Sequence, residues 1–563
     1  MTPENIVGVV FIGILVLAFV GVTLKERVQQ KHVFLNKLRR EWGNAPSGEW
    51  TVEELESISH YTRRREKGRF KVDDITWNDL DLDSVFLQMN STVSSCGEDY
   101  LYSLMRLPEF DPEILKERDR LMEFFRSHKQ EREKVQLMLR LIGKRKGYSV
   151  SDYLEAMGTA PVRSVVRYVI QAVLAGAAII LFFFSPLAAV AALVLMLCVN
   201  GITHYQESQK IEPYLSCLSC ILRLLKAAEL MGNCKIPEIS RYSEKIREAS
   251  GPLQKIRRKC VMLVSAKGAD LGAAAIFAYL NSYFLLDFIQ FYRVARLLED
   301  QMGRVETLLE QFGILDASIA VASFREYLPL WCRPEFVSPE EKVRIQAEDL
   351  YHPLITEAVA NSIQAEGGIL LTGSNASGKS TFLKTVALNA ILAQSIYTCM
   401  ASSYQGTLVK TMTSMALRDD LQGGESYFIV EIKSLKRILA EAEKGQPLLC
   451  IIDEVLRGTN TIERIAASSR ILASLRKENV LAFAATHDVE LTYILEKLYH
   501  NYHFEEEIRD NQIFFNYQLQ RGRAASRNAI SLLEIIGYDP KIVAEARKAA
   551  EDFEQQGVWK PLC

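Results

Sequence analysis

The sequence has no excess of charge of either sign. Its 563 residues carry 67 Lys and Arg against 69 Asp and Glu, a formal net charge of −2. That excludes a surface that would coat nucleic acid by net charge alone, so any such contact must rest on local patches. Proline and glycine are sparse, at 16 and 30 residues, too few for a collagen-like or low-complexity chain. Cysteine is present without order: ten are scattered from Cys96 to Cys563 with no spacing framework. A disulfide scaffold is thereby disfavoured and a reducing compartment favoured. The one close pair, Cys217 and Cys220, lacks the second pair that a zinc site needs and reads as two core thiols. What the chain does have is apolar sequence. Hydrophobic residues make up 48% and charged residues 24%, and the length suits more than one structural unit. A mean hydropathy of +0.02 is high for so charged a chain, and the excess is concentrated in a few stretches.

The first stretch, Ile6 to Leu24, contains no charge and is long enough to cross a bilayer as one helix. Only Glu4 precedes it, while Lys25, Arg27 and Lys31 follow directly. A cleaved signal peptide has the reverse order of charge, and the basic flank puts the C-terminal side in the cytosol. An uncleaved anchor with its N-terminus outside is expected. A second block runs from Tyr168 to Thr203 and is broken at Ser185-Pro186, each half near the lower limit for a span. Ser-Pro between two short helices makes a turn. Arg163 and Arg167 before the block and Lys210 after it fit a hairpin with both ends in the cytosol. The alternative is a very apolar buried helical pair. A third stretch, Leu271 to Leu286, is short, flanked by Asp270 and Asp287 and interrupted by Asn281 and Ser282, and is expected to be a buried core helix. The expected location is therefore a cell membrane, crossed more than once, with the C-terminal third cytoplasmic.

That third carries the chemistry. Gly367 to Thr372 (GGILLT) reads as a short buried strand. It runs into Gly373, Ser374, Asn375, Ala376, Ser377, Gly378, Lys379 and Ser380, then Thr381, which fits G-x-x-x-x-G-K-[ST]. Glycines let backbone N–H groups converge on phosphate oxygens, and a helix starting near Lys379 points its positive end at the same anion. Lys379 would contact the β- and γ-phosphates of ATP, and the Ser380 hydroxyl would bind Mg²⁺. Further on, Leu448 to Asp453 (LLCIID) is another buried-strand run, ending in Asp453-Glu454. Asp453 can hold the metal, and Glu454 can polarise the attacking water. Val480 to Thr486 (VLAFAAT) is a third strand, with His487 at its C-terminal end. In a parallel sheet the strand C-termini share one edge, so the three motifs would converge on one nucleotide.

These runs carry a family resemblance. TGSNASGKST, DDLQGGESYFIVEI (Asp419 to Ile432), IIDEVLRGTNT (Ile451 to Thr461) and ATHDVELT (Ala485 to Thr492) together resemble the ATPase domain of MutS proteins. RGRAASRNAISLLEIIGYDPKIVAEARKAAE (Arg521 to Glu551) is similar to the helix-turn-helix dimerisation segment that closes that domain. Thr92 to Phe125 resembles the start of the MutS helical core, and Tyr351-His352-Pro353-Leu354 the element before the P-loop. The resemblance implies that Asn375 is the MutS-type residue of the loop. It implies that Ser426, with Gly423 and Gly424, reaches across a dimer to the γ-phosphate bound by the other subunit. It also implies that His487 senses that phosphate and that the Arg457-Gly458-Thr459 turn lies at the dimer interface. Alone, Ser426 would read as an ordinary helix N-cap.

The departures count as well. Fewer than seventy residues separate Lys25 from Thr92, and no Phe-x-Glu occurs among them. Neither the mismatch-reading domain nor the connector domain of MutS fits there, so direct mismatch readout is not expected. Nor is a nuclease domain expected after the ATPase. The expected architecture is an α/β ABC-type P-loop ATPase joined to an all-α, MutS-core-like lever region with transmembrane helices. Its parts are an anchor at 1–24, a cytosolic linker at 25–91 and a helical domain at 92–330 interrupted by the hairpin 168–203. An ATPase domain at 331–520 and a dimerisation tail at 521–563 follow. The expected partners are a second copy of the chain, membrane lipids and DNA. Basic clusters at Arg63-Arg64-Arg65 with Lys67, Arg69 and Lys71, at Lys144-Arg145-Lys146 and at Arg257-Arg258-Lys259 suit anionic headgroups as readily as phosphodiesters. Three functions follow: a membrane-held, DNA-binding MutS-like ATPase, an ABC-like ATPase that remodels or regulates a membrane protein without touching DNA, or a tether in which nucleotide acts only as an assembly switch.

Overall fold

The computed structural model describes residues 21, 25–26, 28–48, 50–144, 149, 152, 164–265, 280, 282–338, 342–374, 377–415, 427–457, 459–509, 512–524, 529–559 and 561. The expected anchor Ile6 to Leu24, apart from Gly21, and most of Leu271 to Leu286 lie outside these residues. So do Asn375, Ala376, Gly423, Gly424, Ser426 and Gly458. The chain forms two compact units. The first takes in Met1–Lys67, Met89–Ser103 and Arg120–Tyr327, and the second Gly68–Gln88, Leu104–Asp119 and Leu328–Cys563.

Every regular element described in the first unit is helical. Helix Val52–Arg65 opens with a capping box, in which Thr51 Oγ1 accepts from the Glu54 N–H at 3.3 Å and the Glu54 carboxylate accepts from the Thr51 N–H at 3.0 Å. Helix α1 (Val166–Ile180) closes in a 3₁₀ turn, Leu181–Phe183. Helix α2 (Pro186–Gly232) then starts with Pro186 in its first turn, where the missing N–H costs nothing. The turn therefore falls at Ser185-Pro186, as the sequence suggests. The second arm, in contrast, does not stop at Thr203. It continues as one helix of 47 residues, about 70 Å long, because the sequence turns amphipathic there instead of breaking. Ile211, Leu218 and Leu225, one heptad apart, are buried with Leu253 of α3 (Ser240–Ser265) and with Phe291 and Leu308 of α4 (Leu286–Glu299) and α5 (Met302–Tyr327).

Among the described residues, three helical stretches are long and apolar enough to cross a membrane, and they differ in burial. In α5, 83% of the most apolar stretch is buried, whereas in Val166–Phe183 and Pro186–Ile211 only 17% is. The hairpin is thus no buried pair: Phe183, Phe184 and Leu187 at its tip are 85%, 81% and 86% exposed. Helix α5 is held tightly within its unit. A Cβ on Gly313 would meet Tyr100 Cβ at 2.6 Å, and Asp316 accepts from the Ser94 backbone N–H at 2.8 Å. Cys217 and Cys220 are buried in the same core and form no disulfide.

The second unit is mixed α/β. A smaller sheet contains β1 (Glu335–Val337), β2 (Arg344–Leu350), β3 (Asn361–Glu366) and β5 (Ser403–Thr407), in the order β1-β5-β2-β3. The larger sheet is built from β4 (Gly368–Thr372), β6 (Lys410–Ser414), β7 (Leu448–Asp453), β8 (Val480–Ala485), β9 (Tyr499–Arg509) and β10 (Gln512–Arg521), in the order β10-β9-β4-β8-β7-β6. Its pairings are parallel except for the antiparallel β9–β10 hairpin. Every residue of β4 and β8 is buried, as expected of central parallel strands. Residues 68–88 and 104–119, which hydropathy assigns to the linker and the helical domain, pack with this unit. The reason is polar docking: at β6 Asp79 Oδ2 accepts from the Met415 N–H at 3.0 Å and the Thr413 N–H donates to Thr76 Oγ1 at 3.1 Å, while the Glu109 N–H donates to the Gln394 carbonyl at 2.9 Å. The chain thus joins a helical N-terminal region to a mixed α/β C-terminal region.

Candidate phosphate-binding site

Three adjacent parallel strands deliver the site. Leu371 of β4 is paired with Ala485 of β8, and Ala485 with Asp453 of β7. The residues that follow β4, β7 and β8 therefore emerge at one sheet edge. After β4, the backbone requires glycine twice: Gly373 has φ +143° and Gly378 φ +108°. A Cβ would lie 2.6 Å from the Phe504 carbonyl oxygen at Gly373 and 3.3 Å from the Tyr517 ring at Gly378. Gly378 is the N-cap of helix α6 (Lys379–Ile396).

Lys379 is 5% exposed, and its Nζ donates to the carbonyl oxygens of Gly373 at 2.8 Å and Ser374 at 2.6 Å. Burial pulls its ammonium below the usual lysine value, against the nearby carboxylates of Asp453, Glu454 and Glu506. Ser380 lies beside Asp453, whose carboxylate burial holds above the ordinary aspartate range while the Ser380 hydroxyl pulls it back. Asp453 Oδ1 and Ser377 Oγ are buried without a hydrogen-bond partner, and such atoms are costly unless something arrives to satisfy them. A serine hydroxyl beside a carboxylate with an orphaned oxygen is a hard-oxygen donor set, which fits Mg²⁺ with water and phosphate completing the shell. Thr381 lines the adjoining cavity.

Glu454 has φ +54° and Leu456 φ +58°, a conformation that costs a non-glycine residue about 1–3 kcal/mol and is characteristic of functional turns. The Glu454 carboxylate meets His487 Nε2 at 2.9 Å and Arg457 Nε at 3.0 Å. Two groups that the sequence does not reveal hold this turn and the neighbouring segment after β8. Glu431, on helix α7 (Tyr427–Ala442), accepts from the Leu456 N–H. Arg464, on helix α8 (Thr461–Ser474), grips Asp488 with two hydrogen bonds at 2.8 and 2.6 Å. Beside the loop lies a cavity of about 530 Å³ whose walls include Ile355, Val359, Asn361, Phe504 and Tyr517. Tyr517 sits in a bulge of β10 with φ +53°. Asn361 pins that bulge, donating to the Tyr517 carbonyl at 2.9 Å and accepting from the Leu519 N–H at 2.7 Å. No local motif announces Tyr517, Asn361 or Arg464, because their partners are distant in sequence.

Four members of the basic clusters are engaged within the chain. Arg64 and Arg65 pair with Glu306 and Glu310 at 3.2 and 2.9 Å, Arg69 with Glu109 at 2.8 Å, and Lys144 with Glu98 at 2.7 Å.

Residues 369–554 match the family model described as MutS domain V. The C-terminal region is thus similar to domain V of MutS proteins. The DNA mismatch repair protein MutS of Thermus aquaticus is 31% identical over 217 residues, which cover 38% of this chain and 26% of that protein. That of a Thermus thermophilus strain is 28% identical over 317 residues, 55% of this chain and 38% of the relative. That of Methanosarcina acetivorans is 27% identical over 289 residues, 48% and 31%. The chain therefore spans between 26% and 38% of the length of these MutS proteins.

His352, on the cavity wall, is 7% exposed, and its Nδ1 accepts from the Leu354 N–H at 3.3 Å. Burial, with Lys384 nearby, brings its pKa down to about 4. An imidazole buried neutral is protonated more readily in the unfolded chain, so its contribution to stability is complete above about pH 6.5 and is lost progressively towards pH 4. His352→Asn, which keeps an acceptor, should escape the loss of about 1–2 kcal/mol that the native chain suffers from this group between pH 6.5 and 5. Denaturant unfolding at the two pH values measures it; equal losses in both chains would show that His352 does not carry this proton linkage.

Proposed function

We propose that the chain is a Mg²⁺-dependent ATPase of MutS type, held at a membrane and working as a homodimer with composite nucleotide sites. The observation that carries this reading is the meeting at one sheet edge of the buried Lys379 ammonium, Ser380 beside Asp453, and Glu454 with its His487 contact. The phosphates would take over Lys379 from the loop carbonyls and draw on the backbone N–H groups at the start of α6. Ser380 and Asp453 would hold Mg²⁺, which supplies charge neutralisation for phosphoryl transfer. Glu454 would orient the attacking water, and His487, whose Nε2 lies 2.9 Å from the Glu454 carboxylate, would report on the γ-phosphate. Phe504 and Tyr517 would give the base an apolar wall. Ser426 of one protomer, with Gly423 and Gly424, would complete the site around the partner's nucleotide. Lys379→Ala should abolish tight ATP binding, and Glu454→Gln should bind ATP but accumulate as a closed dimer without turnover. Unchanged affinity in the first variant would remove the loop assignment. Brisk hydrolysis by the second would give the water to another group.

The names of the relatives point to DNA mismatch repair, and a DNA-binding role related to it, without direct mismatch readout, is the reading we favour. The exposed hairpin favours a second reading, in which ATP-driven closure remodels a membrane protein. Binding of the full chain to duplex and branched DNA, titrated with salt while turnover is followed, separates them. A steep salt slope with DNA-stimulated hydrolysis is expected; ATPase activity indifferent to DNA at every salt concentration would leave the second reading.

For the membrane, the supporting observation is the outward-facing apolar surface of Val166–Phe183 and Pro186–Ile211, which water would not tolerate as a free face. With the N-terminal anchor, three crossings put the N-terminus outside and the ATPase in the cytosol. A tag inserted at Ser185-Pro186 should be reachable from outside the cell, as should one before Thr2, while a C-terminal tag should not. A hidden Ser185 tag would refute the spanning hairpin, and both ends on one side would refute the topology.

A further inference from the structure

The phosphate loop is fastened to a carboxylate, a group that phosphate binding does not call for. The last register pair between β4 and β9 is Thr372 with His503. Strand β9 runs on past this point, paired there only with β10, so on its β4 side Glu506 stands beside the loop and not beside a strand. Glu506 is 8% exposed, and its Oε2 accepts from Ser374 Oγ at 2.7 Å. On the other side of the same residue, the Ser374 carbonyl accepts from the Lys379 ammonium at 2.6 Å. The loop is therefore gripped twice at Ser374, once by its side chain and once by its carbonyl, and both grips occupy groups that a polyphosphate would compete for. The Glu506 charge also acts on Lys379, opposing the effect of burial. A carboxylate this close raises the cost of bringing a second anion to the loop, because like charges in a partly dry site are poorly screened.

We propose, building on the nucleotide reading above, that Glu506 is a positioning residue that latches the nucleotide-free phosphate loop through Ser374, and that nucleoside di- and triphosphates bind by breaking this latch. Glu506 thereby weakens nucleotide affinity and speeds release. Such a group suits a clamp that must let go of ADP. The latch has two separable components, the Ser374 hydrogen bond and the carboxylate charge.

Glu506→Gln keeps a hydrogen-bond acceptor but removes the charge, and Ser374→Ala removes the hydrogen bond but keeps the charge. Mg·ATP and Mg·ADP serve as probes on the full chain in detergent micelles. Glu506→Gln should bind both about tenfold more tightly than the native chain, mostly through slower release, and the gain should shrink as salt is added. Ser374→Ala should show a smaller gain, of about two- to fourfold. General damage to the loop would weaken binding, so the direction of the change tells a latch from a merely structural contact. Equal or weaker binding in Glu506→Gln would overturn the proposal. Should that variant fail to fold, equal or weaker binding in Ser374→Ala would overturn it as well. A folded native chain that binds neither probe would sink the nucleotide reading and the latch with it.

Discussion

The site depends on the register of three parallel strands. Side chains alternate along a strand, and neighbours are fixed to one another by their ladder of hydrogen bonds, so a slip of one residue would exchange every inward and outward group. With Leu371 opposite Ala485 and Ala485 opposite Asp453, the loop after β4, the carboxylates at the end of β7 and the histidine after β8 are forced to one edge. The ladder is not decorated with polar groups that could offer an alternative pairing. Strands β4 and β8 are buried along their whole length, and β7 is buried up to Asp453. Burial on both faces makes the register costly to change, and the same burial leaves Asp453 with an orphaned oxygen at the point where the sheet opens to solvent.

A contrary constraint governs the helical hairpin. In a helix every backbone group is satisfied internally, so apolar side chains can face outward without exposing peptide groups to a non-aqueous surrounding. Proline at the first turn of α2 removes an N–H that had no partner there. The exposed side chains at the tip are then almost purely hydrocarbon. The same helix changes character below this region, where its buried face joins α3, α4 and α5. One continuous rod thus runs from an apolar exterior into a packed core.

The legible parts of the sequence are those whose cause is local. GGILLT, LLCIID and VLAFAAT announce strands because apolar runs of that length bounded by glycine or acid have few other uses, and Ser185-Pro186 announces a turn by backbone chemistry alone. The continuation of α2 past Thr203 was hidden because hydropathy measures composition, and composition changes where helicity does not. Strands β9 and β10 were hidden by their polar residues, among them Glu505, Glu506 and Glu507, which interrupt any apolar pattern. The docking of residues 68–88 at β6 depends on Asp79 accepting from a backbone more than three hundred residues away, and no local pattern encodes such a partner. Of the candidate site, the residues with motifs were legible; those that hold the motifs in place, Arg464, Glu431 and Asn361, were not.

These supporting residues bear on how the site is coupled to the rest of its unit. The turn carrying Glu454 is strained at two positions, and strain persists only where neighbours over-determine it. One of those neighbours is Glu431, which burial holds above the ordinary glutamate range while the backbone N–H groups of Leu456 and Arg457 pull it back. Glu431 belongs to the second turn of α7, so the position of that helix and the conformation of the Glu454 turn are fixed by a shared set of hydrogen bonds. On the opposite flank, Arg464 and Asp488 hold the segment after β8 against α8, which fixes where His487 meets Glu454. A displacement of either helix must therefore break charged, partly buried hydrogen bonds or carry Glu454 and His487 with it, and the stronger the bonds, the more the second outcome is favoured.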